Sequence, residues 1–255
     1  MEEMQNQSPA KKNNAKMWLG WICIILIVIG ICGLVIKKTT VSPTDGMDDS
    51  VKQVYAEAEK GNAESQFLMG KFFYEGKGVQ QNLPEAIKWY MKSAEQGNGN
   101  AQYALGICYE KGIGVEKNDK AALEWYEKSA KQGNINAKCS LGTSYFLGRG
   151  VSKDYKKAVE LFRDAAEKGD ARAQCNLGVC YYSGRGVEKN CKTAVDWFQK
   201  SMGQGYFLAQ YNMARCYENG EGVEKNIQTA ITLYRQAAAN GMKTAEKDLK
   251  RLGAK

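Results

Sequence analysis

An all-α solenoid is the fold this sequence predicts, and three observations predict it. One pattern of 36 residues is written five times in register: Met69-Gly70 to Val79, Leu105-Gly106 to Val115, Leu141-Gly142 to Val151, Leu177-Gly178 to Val187 and Met213-Ala214 to Val223. Each copy holds two apolar stripes at helical spacing. No copy carries an insertion or deletion. A fixed period of this size marks stacked helix-turn-helix units, none of which can bury its apolar face alone.

The elements follow in chain order. Residues 1–16 form a polar tail with Lys11, Lys12 and Lys16. Residues 17–36 (MWLGWICIILIVIGICGLVI) contain no charge and no proline. As a helix they would span about 30 Å, the thickness of a hydrocarbon core. Trp18 and Trp21 suit one interface, and Lys37-Lys38 close the other end. A cleaved signal peptide would have a shorter apolar stretch and a small-residue cleavage site. The expectation is therefore an uncleaved, single-pass membrane anchor. Residues 37–47 read as a linker.

Residues 48–61 match the second helix of the repeat, with the more polar Ser50 and Gln53 at its alanine and tryptophan places. They predict an N-terminal cap. The five repeats occupy 62–97, 98–133, 134–169, 170–205 and 206–241. Residues 242–255 match the first helix, with Lys250 at the glycine place, and predict a C-terminal cap.

Within a repeat, helix A carries a stripe such as Ala101, Leu105, Cys108 and Tyr109. Helix B carries Ala122, Trp125, Tyr126, Ser129 and Ala130. A Gly-x-Gly loop such as Gly112-x-Gly114 separates them. Asn82, Asn118, Asp154, Asn190 and Asn226 stand where helix B needs an N-cap, and Gly97, Gly133, Gly169, Gly205 and Gly241 where it ends. Gly70, Gly106, Gly142 and Gly178 lie inside helix A, where glycine costs about 1 kcal/mol relative to alanine. Close approach by helix B accounts for that cost, with Trp89 or Tyr126 covering the gap.

The phrase LG-x-x-Y-x-x-G-x-GV followed by A-x-x-W-Y-x-x-(S/A)-A-x-x-G resembles the Sel1-like repeat, a relative of the tetratricopeptide repeat. The resemblance covers about four-fifths of the chain. It implies an α/α right-handed superhelix that serves mostly as an adaptor or scaffold. In tetratricopeptide relatives one helix A face lines a concave groove. Carried onto this sequence, the groove candidates are Phe67, Lys71 and Tyr74; Tyr103, Ile107 and Glu110; Cys139, Thr143 and Phe146; Cys175, Val179 and Tyr182; and Tyr211, Arg215 and Glu218. Six aromatic residues on this face exceed what solvation requires, and exposed aromatic surface marks interaction sites. The alternative is that neighbouring A helices bury them against each other. On the open-groove reading, Cys139 and Cys175 react with polar reagents while Cys108 and Cys180 stay protected.

Composition excludes much chemistry. The chain has no histidine, which removes the commonest general base and metal ligand. No C-x-x-C occurs, so no metal site is expected. The loop glycines lack the G-x-x-x-x-G-K-(S/T) context of a phosphate cradle. Some proteins resembling this family interact with β-lactams, but the one clear S-x-x-K, Ser8 to Lys11, lies in the N-terminal tail, and neither S-D-N nor K-T-G occurs. No cofactor and no enzymatic activity are expected. A net charge of +8 over 255 residues is modest, and it points to no nucleic-acid partner.

Two of the eight cysteines lie in the segment 17–36, and the other six read as small buried apolar residues rather than a disulfide framework, which suits a reducing compartment. The lysines flanking 17–36 are nearly balanced, and the α-amino group tips the repeats toward the non-cytoplasmic side. The two arguments conflict, so both orientations stay open. The expected function is a membrane-anchored scaffold whose groove binds a peptide or protein; alternatives are a β-lactam-interacting protein or a structural element at a wall or membrane surface.

Overall fold

The computed structural model describes residues 44–254. The chain divides into two units, Met1–Asp45 and Gly46–Lys255, and nearly all described residues belong to the second. The predicted anchor at 17–36 lies outside the described residues. Among the described residues no helix is long and apolar enough to cross a membrane.

Twelve α-helices and no strand make up the described residues. Helix α1 (Asp49–Glu59) precedes five A/B pairs: α2 (Ala63–Glu75) with α3 (Leu83–Glu95), α4 (Gly99–Lys111) with α5 (Asp119–Lys131), α6 (Ile135–Leu147) with α7 (Tyr155–Glu167), α8 (Ala171–Ser183) with α9 (Cys191–Gly203), and α10 (Phe207–Asn219) with α11 (Ile227–Ala239). Helix α12 (Lys243–Arg251) ends the stack. Each helix packs mainly on its sequence neighbours, as a solenoid requires.

Local chemistry sets these boundaries. The Asn118 side chain accepts from the Ala121 amide at 3.0 Å, and Asn82, Asp154, Asn190 and Asn226 cap the other B helices in the same way. Each cap contributes about 1 kcal/mol. The A helices have caps that the sequence reading missed: Asn62, Asn98, Asn134 and Asp170 accept from amides three residues on. Tyr206 takes that place in repeat 5 and makes no side-chain cap.

The two loop glycines do different work. Gly112 ends α4 in the left-handed region, where a side chain is strained. At Gly150 a Cβ would sit 2.3 Å from the Asp119 carbonyl oxygen, and at Gly186 2.2 Å from that of Tyr155. The second glycine therefore lets each loop rest on the first turn of the preceding B helix.

The core runs along the A/B seam. A Cβ at Gly106 would lie 2.4 Å from the Tyr126 ring, and Gly70, Gly142 and Gly178 meet Tyr90, Phe162 and Phe198 likewise. The residue after the tryptophan place thus covers each glycine, and Trp89 is corrected in that role. Tyr126 is buried, whereas Trp125 and Trp197 are half-buried, with Lys128 and Lys200 over their rings. A fully buried ring of this size contributes about 1.5–3 kcal/mol, so Tyr126 rather than Trp125 anchors repeat 2.

A glutamine relay joins neighbouring repeats. Gln132 Nε2 donates to Gln102 Oε1 at 2.7 Å, and Gln102 Nε2 donates to the Ala94 carbonyl of the previous repeat at 3.1 Å. Gln96 with Gln66, and Gln204 with Gln174, repeat the arrangement. In repeat 3 Lys138 holds the place and pairs with Asp164. In repeat 5 the shorter Asn240 bonds to the Gln236 carbonyl at 2.8 Å, and Gln210 Oε1 is buried without a hydrogen-bond partner.

Candidate functional site

The candidate surface is the side of the A helices left beside the core stripe. Its residues are neither open nor fully covered. Phe67, Tyr74, Tyr103, Ile107, Glu110, Thr143, Phe146, Val179, Tyr182, Tyr211, Arg215 and Glu218 are all half-buried, and Lys71 is exposed. Four of the rings lean on the core ring of helix B in their own repeat. Tyr103 lies 5.9 Å from Tyr126, Phe67 5.9 Å from Tyr90, Tyr211 5.5 Å from Tyr234 and Phe146 6.3 Å from Phe162, between centroids. Such tilted contacts give these side chains a share in stability besides any share in binding.

Two cysteines depart from the open-groove expectation. Cys139 is 1% exposed and Cys175 2%, as deeply buried for practical purposes as Cys108 at 1% and Cys180 at 0%. The next A helix covers them: Asn212 Nδ2 reaches Cys175 Sγ at 3.4 Å, and Asn176 lies over Cys139. Burial pushes both thiols up to about 12. Selective labelling at Cys139 and Cys175 is therefore not expected, because the close spacing of neighbouring A helices closes these positions. Cys191, half-buried at the start of α9, is the most accessible of the six described cysteines.

Several polar candidates are already engaged. Glu110 accepts from the Tyr126 hydroxyl at 2.7 Å and pairs with Arg149 at 2.7 Å. Glu218 accepts from Tyr234 at 2.8 Å and takes both arms of Arg251 at 2.6 and 2.9 Å. The Arg251 guanidinium holds the Glu218 carboxyl below the usual carboxylate range, with help from the Tyr234 hydroxyl. Tyr182 donates to Glu221, and Tyr211 donates to Asp248 at 3.0 Å. Desolvation raises both phenols, and these carboxylates raise them further. Lys71 lies 3.9 Å from Glu75.

An apolar opening lies on this face. Thr143, Phe146, Leu147, Phe162, Asn176 and Val179 line an apolar pocket of about 150 Å³ between α6 and α8. Leu147 at its lip is 42% exposed, and only Ile227 is a second exposed large hydrophobic residue among the described residues. The Arg185 guanidinium lies 5.5 Å from the Phe146 ring centre. The structure thus brings Phe146, Val179 and Thr143 together in one pocket. It leaves Phe67, Tyr103 and Tyr211 outside that pocket, in repeats 1, 2 and 5. Leu147, Asn176 and Arg185 escaped sequence reasoning; an exposed leucine next to a helix-ending glycine was the available signal. Among the described residues no group of three Cys, Asp or Glu side chains is placed to hold a metal ion.

The comparisons agree with this architecture. A family model described as the Sel1 repeat matches residues 63–98, 99–134, 135–170, 171–206 and 208–242. The chain belongs to the Sel1 repeat family. A crystal structure of a Sel1 repeat protein from Oxalobacter formigenes is 36% identical, with a TM-score of 0.71 over 78% of this chain and 85% of that one. The structure of c5321, a protective antigen of uropathogenic Escherichia coli strains displaying an SLR fold, is 32% identical, with a TM-score of 0.70 over 80% of this chain. The match covers 44% of c5321, so this Sel1 repeat chain spans less than half of that relative. A putative Sel1 repeat protein from Klebsiella pneumoniae, 23% identical with a TM-score of 0.52 over 80% of this chain and 99% of its own, shares the fold alone. No curated protein matches the chain.

Proposed function

We propose that this Sel1 repeat protein is a non-enzymatic, membrane-anchored scaffold whose helix A face holds a peptide or protein partner. The pocket between α6 and α8 carries the reading, because exposed Leu147 stands at the lip of an apolar cleft with a cation beside it. Isolated exposed side chains need no explanation, but an apolar cleft with such a rim does. The charge-free segment 17–36 supports the anchor.

Photo-crosslinking in cells tests the binding face. A benzophenone amino acid at position 147 should capture a discrete partner, and the same group at Ile227, the other exposed hydrophobic site, should not. Equal capture at both positions, or at neither, would sink the proposal. The anchor is tested separately: the protein should stay with membranes through alkaline extraction, and an intact mass lacking residues 1–36 would refute it.

A further inference from the structure

The charge of the A-helix face is uneven along the stack. From Ile135 to Val151 the chain carries Lys138 and Arg149 and no acid, and from Ala171 to Val187 it carries Arg172 and Arg185 and no acid. The equivalent stretches of the other repeats all hold carboxylates: Glu64 and Glu75, Glu110, and Glu218 and Glu221. The apolar pocket lies in the acid-free part, between α6 and α8.

Most of the nearby cations are already matched. Lys138 pairs with Asp164, Arg149 with Glu110, and Arg172 lies 4.0 Å from Asp170. Arg185 has no carboxylate partner among the described residues. Its guanidinium faces the rings of Phe146 at 5.5 Å and Tyr155 at 5.6 Å. Arg215, one A helix further on, likewise lies over a ring, that of Tyr182 at 5.4 Å, and its nearby acid, Glu218, is already tied to Arg251. Aromatic faces orient a guanidinium while leaving its N–H edge available, and that edge matches a carboxylate.

We infer that the pocket takes a protein segment carrying a large apolar side chain with an aspartate or glutamate close to it in sequence. The apolar side chain enters between Phe146, Leu147 and Val179. The carboxylate meets Arg185 at the rim, and a second acid further along the segment faces Arg215. Neighbouring residues of an extended chain are about 3.3 Å apart, so an acid within three residues of the anchor can reach the rim. A volume of about 150 Å³ suits one side chain, not a cofactor-sized ligand. This inference deepens the scaffold reading and rests on it.

The test is selection of phage-displayed random twelve-residue peptides on the full-length protein in mild detergent. Enriched peptides should carry Asp or Glu within three residues of Leu, Ile, Met or Phe. One such peptide, labelled for fluorescence anisotropy, should bind about tenfold or more weakly to Arg185→Glu, and about as weakly to Leu147→Asp, with unchanged circular dichroism. Arg185→Lys should keep part of the affinity. Val54, on the half-buried side of α1 and remote in sequence from the pocket, supplies a Val54→Ala control that should bind normally. Enriched peptides without acids, or binding indifferent to Arg185→Glu, would overturn the inference and leave the scaffold reading standing. No enriched peptide at all would overturn both. Phosphatidylglycerol vesicles or a single-stranded DNA oligonucleotide binding through Arg185 in preference to any peptide would also overturn it.

Discussion

Gly106→Ala separates close packing from helix propensity, which pull in opposite directions. Propensity alone favours alanine in a helix by about 1 kcal/mol. The new Cβ, however, would lie 2.4 Å from two Tyr126 ring carbons. That is about 1 Å inside ordinary carbon contact. The ring cannot swing aside freely, because Tyr126 is 1% exposed and its hydroxyl is tied to Glu110 at 2.7 Å. Overpacking of this kind costs about 1–3 kcal/mol, so the net loss should be up to about 2 kcal/mol. Ala214 occupies the equivalent place opposite Tyr234 in repeat 5, which shows that a repeat can adjust and keeps the cost from being larger. Gly203 is the internal control. It ends α9 with nothing within 4 Å of a built Cβ, so Gly203→Ala should gain about 0.5–1 kcal/mol. Urea titration followed by circular dichroism measures both, and hydrogen exchange should confine the Gly106→Ala effect to repeat 2 and its neighbours. A Gly106→Ala protein more stable than its parent by the full propensity gain of about 1 kcal/mol would refute the close-approach account.

Further outcomes follow from the same geometry. Among the described cysteines, a polar maleimide should modify Cys191 first, since burial raises Cys108 to about 11 and Cys139, Cys175, Cys180 and Cys216 to about 12; mass mapping that finds Cys139 first would contradict the burial. Tyr126→Ala should cost about 3–5 kcal/mol and Trp125→Ala distinctly less, read by thermal melts; the reverse order would restore the tryptophan as the anchor. Asn118→Ala should cost about 1 kcal/mol, and an effect near zero in urea titration would mean the cap adds nothing. The folded pKa of Glu218 lies below its ordinary 4.5, so its contribution is complete above that value and disappears as pH falls through the lowered one. Glu218→Gln should therefore melt earlier than the parent at pH 7 and converge with it in acid; a gap that widens in acid would refute the assignment.

The periodicity made the helices, the order of the elements and the B-helix caps legible. The A-helix caps were equally visible as Asn62, Asn98, Asn134 and Asp170, but they attract notice only once the helix start is known. Helical spacing placed both Trp125 and Tyr126 on the buried stripe. Only the direction of approach of α4 shows that Tyr126 faces Gly106 while Trp125 turns toward Lys128. The binding face was half legible. Position in the repeat put Phe146 and Val179 on the same side, yet whether that side is open depends on the distance between neighbouring A helices. Spacing within one helix does not encode that distance, which is why Cys139 and Cys175 were expected outside and lie inside. Arg185 sits in a loop, where no periodic rule singles out one cation from another.

The glutamine relay bears on how such a chain can change its length. Across each relay junction the acceptor is a backbone carbonyl, that of Ala58, Ala94 or Ala166, while every side-chain partner comes from the repeat itself. A backbone acceptor places no demand on which residue precedes it. The relay bond is therefore indifferent to the identity of the unit on its N-terminal side, whereas side-chain pairs that also cross between repeats, such as Arg149–Glu110 and Tyr182–Glu221, are matched to their neighbours. The acid-free surface of repeats 3 and 4 does not travel freely either, since it needs both units in succession. An extra unit inserted ahead of them would move that surface one step away from the N-terminal cap and leave its chemistry intact. Copy number in this architecture can thus act as a ruler, with the reach of the protein varying independently of what it grips.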